Sequence, residues 1–159
     1  MIKLGMLARN DSGDAIVDLI DAGSANPSGI IEIRSGTVPA SPESAAVGTL
    51  LSTLVLSYPA FGNFNNGLAV ANAVESDSDA AATGYAGWFR VKDRDRNTVF
   101  DGTITVNGGG GDIEFDDVYF IRGGTVSLIS LQAVMPMMCS DLVQQSLPEF
   151  GVSGSGRAS

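Results

Sequence analysis

Tyr85-Ala86-Gly87-Trp88-Phe89-Arg90-Val91-Lys92, then Asp93-Arg94-Asp95-Arg96-Asn97, then Thr98-Val99-Phe100-Asp101-Gly102-Thr103-Ile104-Thr105-Val106: this stretch decides the fold. Two runs rich in aromatic and β-branched residues flank a short polar break, which reads as a β-hairpin. The same period continues on both sides. Upstream, Gly29-Ile30-Ile31-Glu32-Ile33-Arg34-Ser35 alternates Ile31 and Ile33 against Glu32 and Arg34, as a half-buried strand does. Ser35 to Pro42 is a loop by its Gly and Pro, Thr49–Ser57 is a Leu-rich strand that Tyr58-Pro59 stops, and Leu68–Val74 is a weaker strand. Downstream, Gly108–Gly111 turns the chain into Asp112–Phe120, and Arg122-Gly123-Gly124 turns it into Thr125–Met135.

About six or seven evenly spaced strands, with no helical pattern between them, predict an all-β fold: an antiparallel β-sandwich or barrel and not a parallel α/β sheet. One helix is expected, over about residues 11–22. Asp11 or Ser12 would cap it, Ile16, Leu19 and Ile20 would form its buried face, and Gly23 would stop it. Pro136 closes the last strand. The expected organisation is a β domain over 1–136 followed by an extended C-terminal arm over 137–159. In that arm Asp141–Leu147 has the pattern of a short helix, and Gly151–Ser159 is Gly/Ser-rich.

Composition agrees with this reading. Charged residues make up 17% of the 159-residue chain and there are 20 Gly, against a usual charged share of about 25% and a Gly share of about 7%. Lys and Arg number 9 against 18 Asp and Glu, for a formal charge of -9. That balance argues against nucleic acid, which needs clustered cations, and against an anionic membrane surface. The chain holds no His and 1 Cys, Cys139, so Ser-His-Asp chemistry, an internal disulfide and a Cys-rich zinc site are all excluded within it. The N-terminal apolar stretch is too short for a secretory signal and no run is long enough to span a bilayer, so the expectation is a soluble intracellular product.

Five constellations invite a chemical reading. Asp93-x-Asp95-x-Asn97 with Asp101 opens like a calcium loop, but Thr98 and Ile104 stand where that loop needs Gly and Glu; a hairpin turn explains it. Gly108–Gly111 lacks the Lys-Ser/Thr and helix of a phosphate cradle, and reads as a flexible connection. Asp112, Glu114, Asp116 and Asp117 offer paired carboxylates for glycoside cleavage, or simply a solvated strand face. Cys139 has no His base to activate it, and reads as an inert thiol. Finally, Trp88, Arg90, Lys92, Arg94 and Arg96 share one parity. On a strand they would form a basic, aromatic-tipped stripe. It would be either a solvated sheet edge or a contact to an acidic partner, such as the Asp112–Asp117 stretch of another subunit. No catalytic, cofactor or metal residue is assigned.

The hairpin also carries a likeness. Thr83 to Asp93, Asn97 to Gly102, Ile113 to Asp116 and Gly123 to Leu128, with Ser35 to Ala40 and Leu50-Leu51 upstream, resemble small virion proteins of tailed bacteriophages over about residues 9–136. Arg96 departs from the pattern, standing where the turn is expected to carry Gly. The resemblance implies a jelly-roll-like sandwich acting as a head decoration (cement) protein. It would be made in the host cytoplasm and carried on the capsid surface, with the major capsid protein and its own copies in a homotrimer as partners. The alternative is a tail-associated or fibre module that binds a cell-surface ligand; a carbohydrate-active enzyme is a third reading.

Overall fold

The computed structural model describes residues 1–139; the expected helix at 141–147 and the Gly/Ser-rich end of the arm lie outside them. The chain runs β1 (Ile2–Lys3), α1 (Met6–Asp18), a 3-10 turn (Leu19–Asp21), β2 (Ile30–Ser35), β3 (Leu50–Leu56), β4 (Leu68–Val70), β5 (Val74–Glu75), β6 (Gly84–Lys92), β7 (Thr98–Val106), β8 (Ile113–Phe115), β9 (Tyr119–Phe120), β10 (Gln132–Val134) and β11 (Met138–Cys139). The fold is mostly β, a curled mixed sheet forming a half-barrel, with one short helix. The main sheet has the order β5-β3-β2-β6-β7-β8, and β9 pairs with β6 beside it. Met138 and Cys139 pair with Lys3 and Ile2, so chain beyond 136 closes on the N-terminus.

Alternation builds the core face. Ile31 pairs with Leu54 and Val91, and Ile33 with Ser52 and Phe89, which sets Ile31, Ile33, Leu54, Phe89 and Val91 on one side. All five are buried, as is Phe120, while Phe115 is half-buried and meets Phe120 edge to face. Gly102, opposite Phe89, leaves room for its ring: a Cβ there would lie 2.4 Å from it. The small antiparallel sheet of β4 and β10 turns Ala69 and Ala133 toward this core and Val70, Gln132 and Val134 to solvent.

Five expectations are corrected. The strand expected over Leu68–Val74 is β4 and β5, which join different sheets, and Asp112–Phe120 is broken into β8 and β9. Over Thr125–Met135 only β10 is a strand, with Val126 bridging to Asp77. The main sheet is mixed, because β8 runs parallel to β7 with Ile104 opposite Ile113. Parallel neighbours usually need a connection of about a dozen residues or more; here Asn107–Asp112 suffices. Gly108 and Gly110, at φ 84° and 81°, take left-handed conformations that let so short a loop reverse twice.

The helix is the fifth. It begins at Met6 with Gly5 as its N-cap, so Asp11 and Ser12 lie inside it. Its buried face is Gly13, Val17 and Ile20, while Ile16 and Leu19 are exposed. Polar side chains on its inner side bond the loop after β3. Asp14 accepts from the Phe64 amide at 2.6 Å, Asn10 from Gly67 at 2.9 Å, and Asp21 from Ala60 at 3.0 Å. These side chains satisfy backbone donors of that loop.

Gly13 tests this packing. Exchanging Gly for Ala inside a helix ordinarily gains about 1 kcal/mol. A Cβ at Gly13 would stand 2.6 Å from the Phe64 ring. Gly13→Ala is therefore expected to destabilise the protein by about 1–3 kcal/mol in chemical denaturation. Adding Phe64→Leu should recover part of the loss; a Gly13→Ala protein more stable than the parent would show that the helix does not press on Phe64.

Candidate functional site

Of the residues singled out as a basic stripe, Trp88, Arg90 and Lys92 lie in the middle of the sheet. β6 is flanked by β2 and β7, so it is not an edge, and its second face is covered as fully as its first. Trp88 is 0% exposed and Arg90 4%. The cover is the Gly36–Gly48 loop, which rests on the strand where Gly87 has no side chain; a Cβ there would meet the Gly36 carbonyl at 2.0 Å. The Trp88 indole donates to the Ser35 carbonyl at 3.2 Å, and Arg90 donates to the Ser44 carbonyl at 2.9 Å.

Charges brought under that loop are paired there. Arg90 grips the carboxylate of Asp101, its cross-strand partner, with Nε at 2.6 Å and Nη2 at 2.7 Å. Its guanidinium also lies 5.3 Å from the centre of the Trp88 ring. One strand over, Glu32 accepts from Lys92 at 2.9 Å and from Arg34 at 3.1 Å. Burial pushes the Glu32 carboxyl up, but Lys92 and Arg34 outweigh it and hold the group below its ordinary value. Arg94 and Arg96 leave the strand for the turn. Arg94 lies over the Tyr58 ring at 4.6 Å and donates to the Asn26 carbonyl at 2.9 Å. Arg96 sits at φ 70° and donates to the Ser28 carbonyl at 3.0 Å. The solvated edge is thus corrected for Trp88, Arg90 and Lys92, which lie inside the sheet; Arg94 and Arg96 lie in the turn, where Arg96 is exposed and both bond loop carbonyls. A left-handed backbone also explains why Gly would suit position 96.

The acidic constellations divide in the same way. Asp93 closes its turn by accepting from the Asp95 and Asn97 amides, Asp95 accepts from Ser24 and Ala25, and Asp101 holds Arg90. Three carboxylates aimed at three different partners do not converge on a cation. Glu114 occupies the glycine loop that resembled a phosphate cradle. It accepts from the Gly108 amide at 3.1 Å and the Gly110 amide at 2.8 Å, which lowers its pKa. Asp112 accepts from the Thr103 amide and hydroxyl, Asp116 from Asn107 and Asp117 from the Tyr119 amide. Cys139 contributes backbone pairing to β11.

Sequence reasoning missed a groove of about 610 Å³ between β8–β9 and the Gly124–Ser130 segment. Glu114, Asp116 and Asp117 line it together with Tyr119, Ile121 and Ile129. Ile129 is 98% exposed and Ile121 61%. Next to it Tyr85 and Tyr119, cross-strand partners, place their exposed rings 4.8 Å apart. The signal present in the sequence was the apolar Ile121 and Ile129 beside Gly and Ser, and it was hidden by reading continuous strands there.

No protein-family model, curated protein or solved structure matches the chain.

Two outcomes follow from the buried charges. Asp101→Asn leaves Arg90 charged and without its carboxylate, so a loss of about 3–5 kcal/mol is expected. Replacing both partners by apolar residues of similar volume should cost less than the single change. The acid limb of stability is the second readout. A carboxyl whose pKa is lower folded than unfolded stabilises the fold above its ordinary value, and this is lost as pH falls through the folded value. For Glu32 that window starts near its ordinary value of 4.5 and extends below it. Unfolding followed against pH should show a shallower acid slope in Glu32→Gln; an unchanged slope would mean that Lys92 and Arg34 do not hold the carboxylate.

Proposed function

We propose that the chain is a structural virion protein, a decoration or cement protein that binds and stabilises the outer surface of a phage capsid. The observation that carries the reading is the work of its charged side chains. Those that first looked like chemistry, from Arg90 and Asp101 to Asp93 and Glu114, close turns and pair strands. The exposed surface presents apolar groups such as Tyr85, Tyr119, Ile121 and Ile129, which fit a contact with another protein. The resemblance over residues 9–136 points the same way. In this reading the half-barrel and the β4–β10 sheet are the two layers of a jelly-roll-like sandwich. The partners are the major capsid protein and two further copies in a homotrimer, which multiplies weak contacts. Because Trp88, Arg90 and Lys92 are used inside the fold, the contact falls to the exposed apolar surface.

A tail-associated or fibre module is the second reading, favoured by the exposed, paired Tyr85 and Tyr119 rings, aromatic surface suited to a cell-surface ligand. Particles lacking the protein separate the two. A cement protein adds contacts to a shell that assembles without it, so the deletion should package normally and lose its genome sooner on heating or at low salt. Normal shell stability with lost host adsorption would overturn the cement reading in favour of the tail module.

A further inference from the structure

We infer that the groove between β8–β9 and Gly124–Ser130 is a docking site for an extended cationic segment of another protein, one that alternates Lys or Arg with apolar residues. Its walls combine two chemistries. Tyr119, Ile121 and Ile129 supply exposed apolar surface, and Glu114, Asp116 and Asp117 supply negative charge, with no Lys or Arg among the residues that line it. The shape favours an extended occupant, because β8 is the last strand of the main sheet and flanks the groove.

Charge identifies the occupant further. A second copy of this chain is poorly equipped to fill the groove, since its cations are largely engaged. Arg34, Arg90 and Lys92 are in ion pairs, and Arg9, Arg94 and Arg96 donate to backbone carbonyls. Among the described residues this leaves Lys3, on β1, and Arg122, in the turn after β9 next to Ile121, with no side-chain partner, and they stand singly. Cationic density that matches three carboxylates in one groove has to come from a different protein. The inference holds for either position on the virion and does not depend on the shell assignment.

The test uses the isolated protein and a short fluorescein-labelled peptide alternating lysine with valine, read by fluorescence anisotropy. Micromolar binding that weakens with salt is expected. Replacing lysine by glutamate, or valine by serine, should weaken it at least about tenfold. In the protein, Asp116→Asn with Asp117→Asn, and separately Ile129→Ser, should each weaken it about tenfold. The amide side chains can still accept the bonds that the carboxylates accept, and Ile129 is so exposed that its loss leaves the fold intact. Equal binding of the glutamate peptide, or variants that bind as the parent does, would overturn the inference. So would self-association in sedimentation that Ile129→Ser abolishes, since the groove would then belong to a second copy. Particle stability plays no part in these readouts, so their failure leaves the cement proposal to its own experiment.

Discussion

The bidentate grip of Arg90 on Asp101 is the constraint around which the protein is arranged. β6 lies inside the main sheet, and its two faces are both covered, one by the apolar core and one by the Gly36–Gly48 loop. The Arg90 charge on the second face is almost wholly shut off from bulk water, and an unpaired buried charge is far costlier than an unpaired buried amide. The neighbouring strands solve this in register. Asp101 stands opposite Arg90 on β7, and Glu32 stands opposite it on β2, where it serves Lys92 and Arg34. The end of β2 and the loop complete the arrangement by offering the Ser35 carbonyl and the Ser44 and Gly48 carbonyls to donors left over. The pairing also fixes which residues face each other, because a one-residue slip would bring Arg90 into the core and Phe89 under the loop.

The strands of the hairpin, with β2 and β3, were legible because two-residue alternation is a local property of the chain. Which strand is interior is not local. Arg90, Lys92, Arg94 and Arg96 look alike in sequence, a row of cations at one parity. Only the pairing of β2 with β6 shows that Arg90 and Lys92 are inside while Arg94 and Arg96 belong to the turn. The hidden signal was on the partner strands: Glu32 and Asp101 sit among apolar neighbours, where an acid without a partner would be unfavourable. The helix misled for a related reason. Asp11 or Ser12 reads as its start, yet the inner side chains Asp14 and Asp21 bond amides dozens of residues away, and Gly13 makes room for the Phe64 ring.

Downstream of β7 the sequence pattern was least informative. Asp112 to Phe120 alternates acids with apolar residues well enough to suggest one long strand, but its acids are needed elsewhere. Glu114 reaches back to the Gly108 and Gly110 amides, and Asp112 to Thr103, so the chain is pulled alongside the strand it has just left. The glycine run supplies the conformational freedom for that reversal and the carboxylate supplies the bonds that hold it. Loop and acid form one device, the geometry of an anion cradle with the anion provided by the chain itself.

The same economy of cations shapes the surface. A formal charge of -9 understates the acidity that a partner meets, since Arg90 is buried and Lys92 and Arg34 are half-buried on one shared acid, Glu32. Their paired carboxylates, Glu32 and Asp101, are withdrawn with them, so internal pairing removes both signs together but draws on the scarcer one. What remains outside is an excess of Asp and Glu next to apolar side chains that the core does not cover. Like-charged copies of such a molecule repel one another at long range. Association then requires either a partner that brings the opposite charge or apolar contact extensive enough to overcome the repulsion. The groove beside Tyr119 and Ile129 offers both kinds of contact at one place, whereas the outward face of β4–β10, with Val70 and Val134, offers only the second.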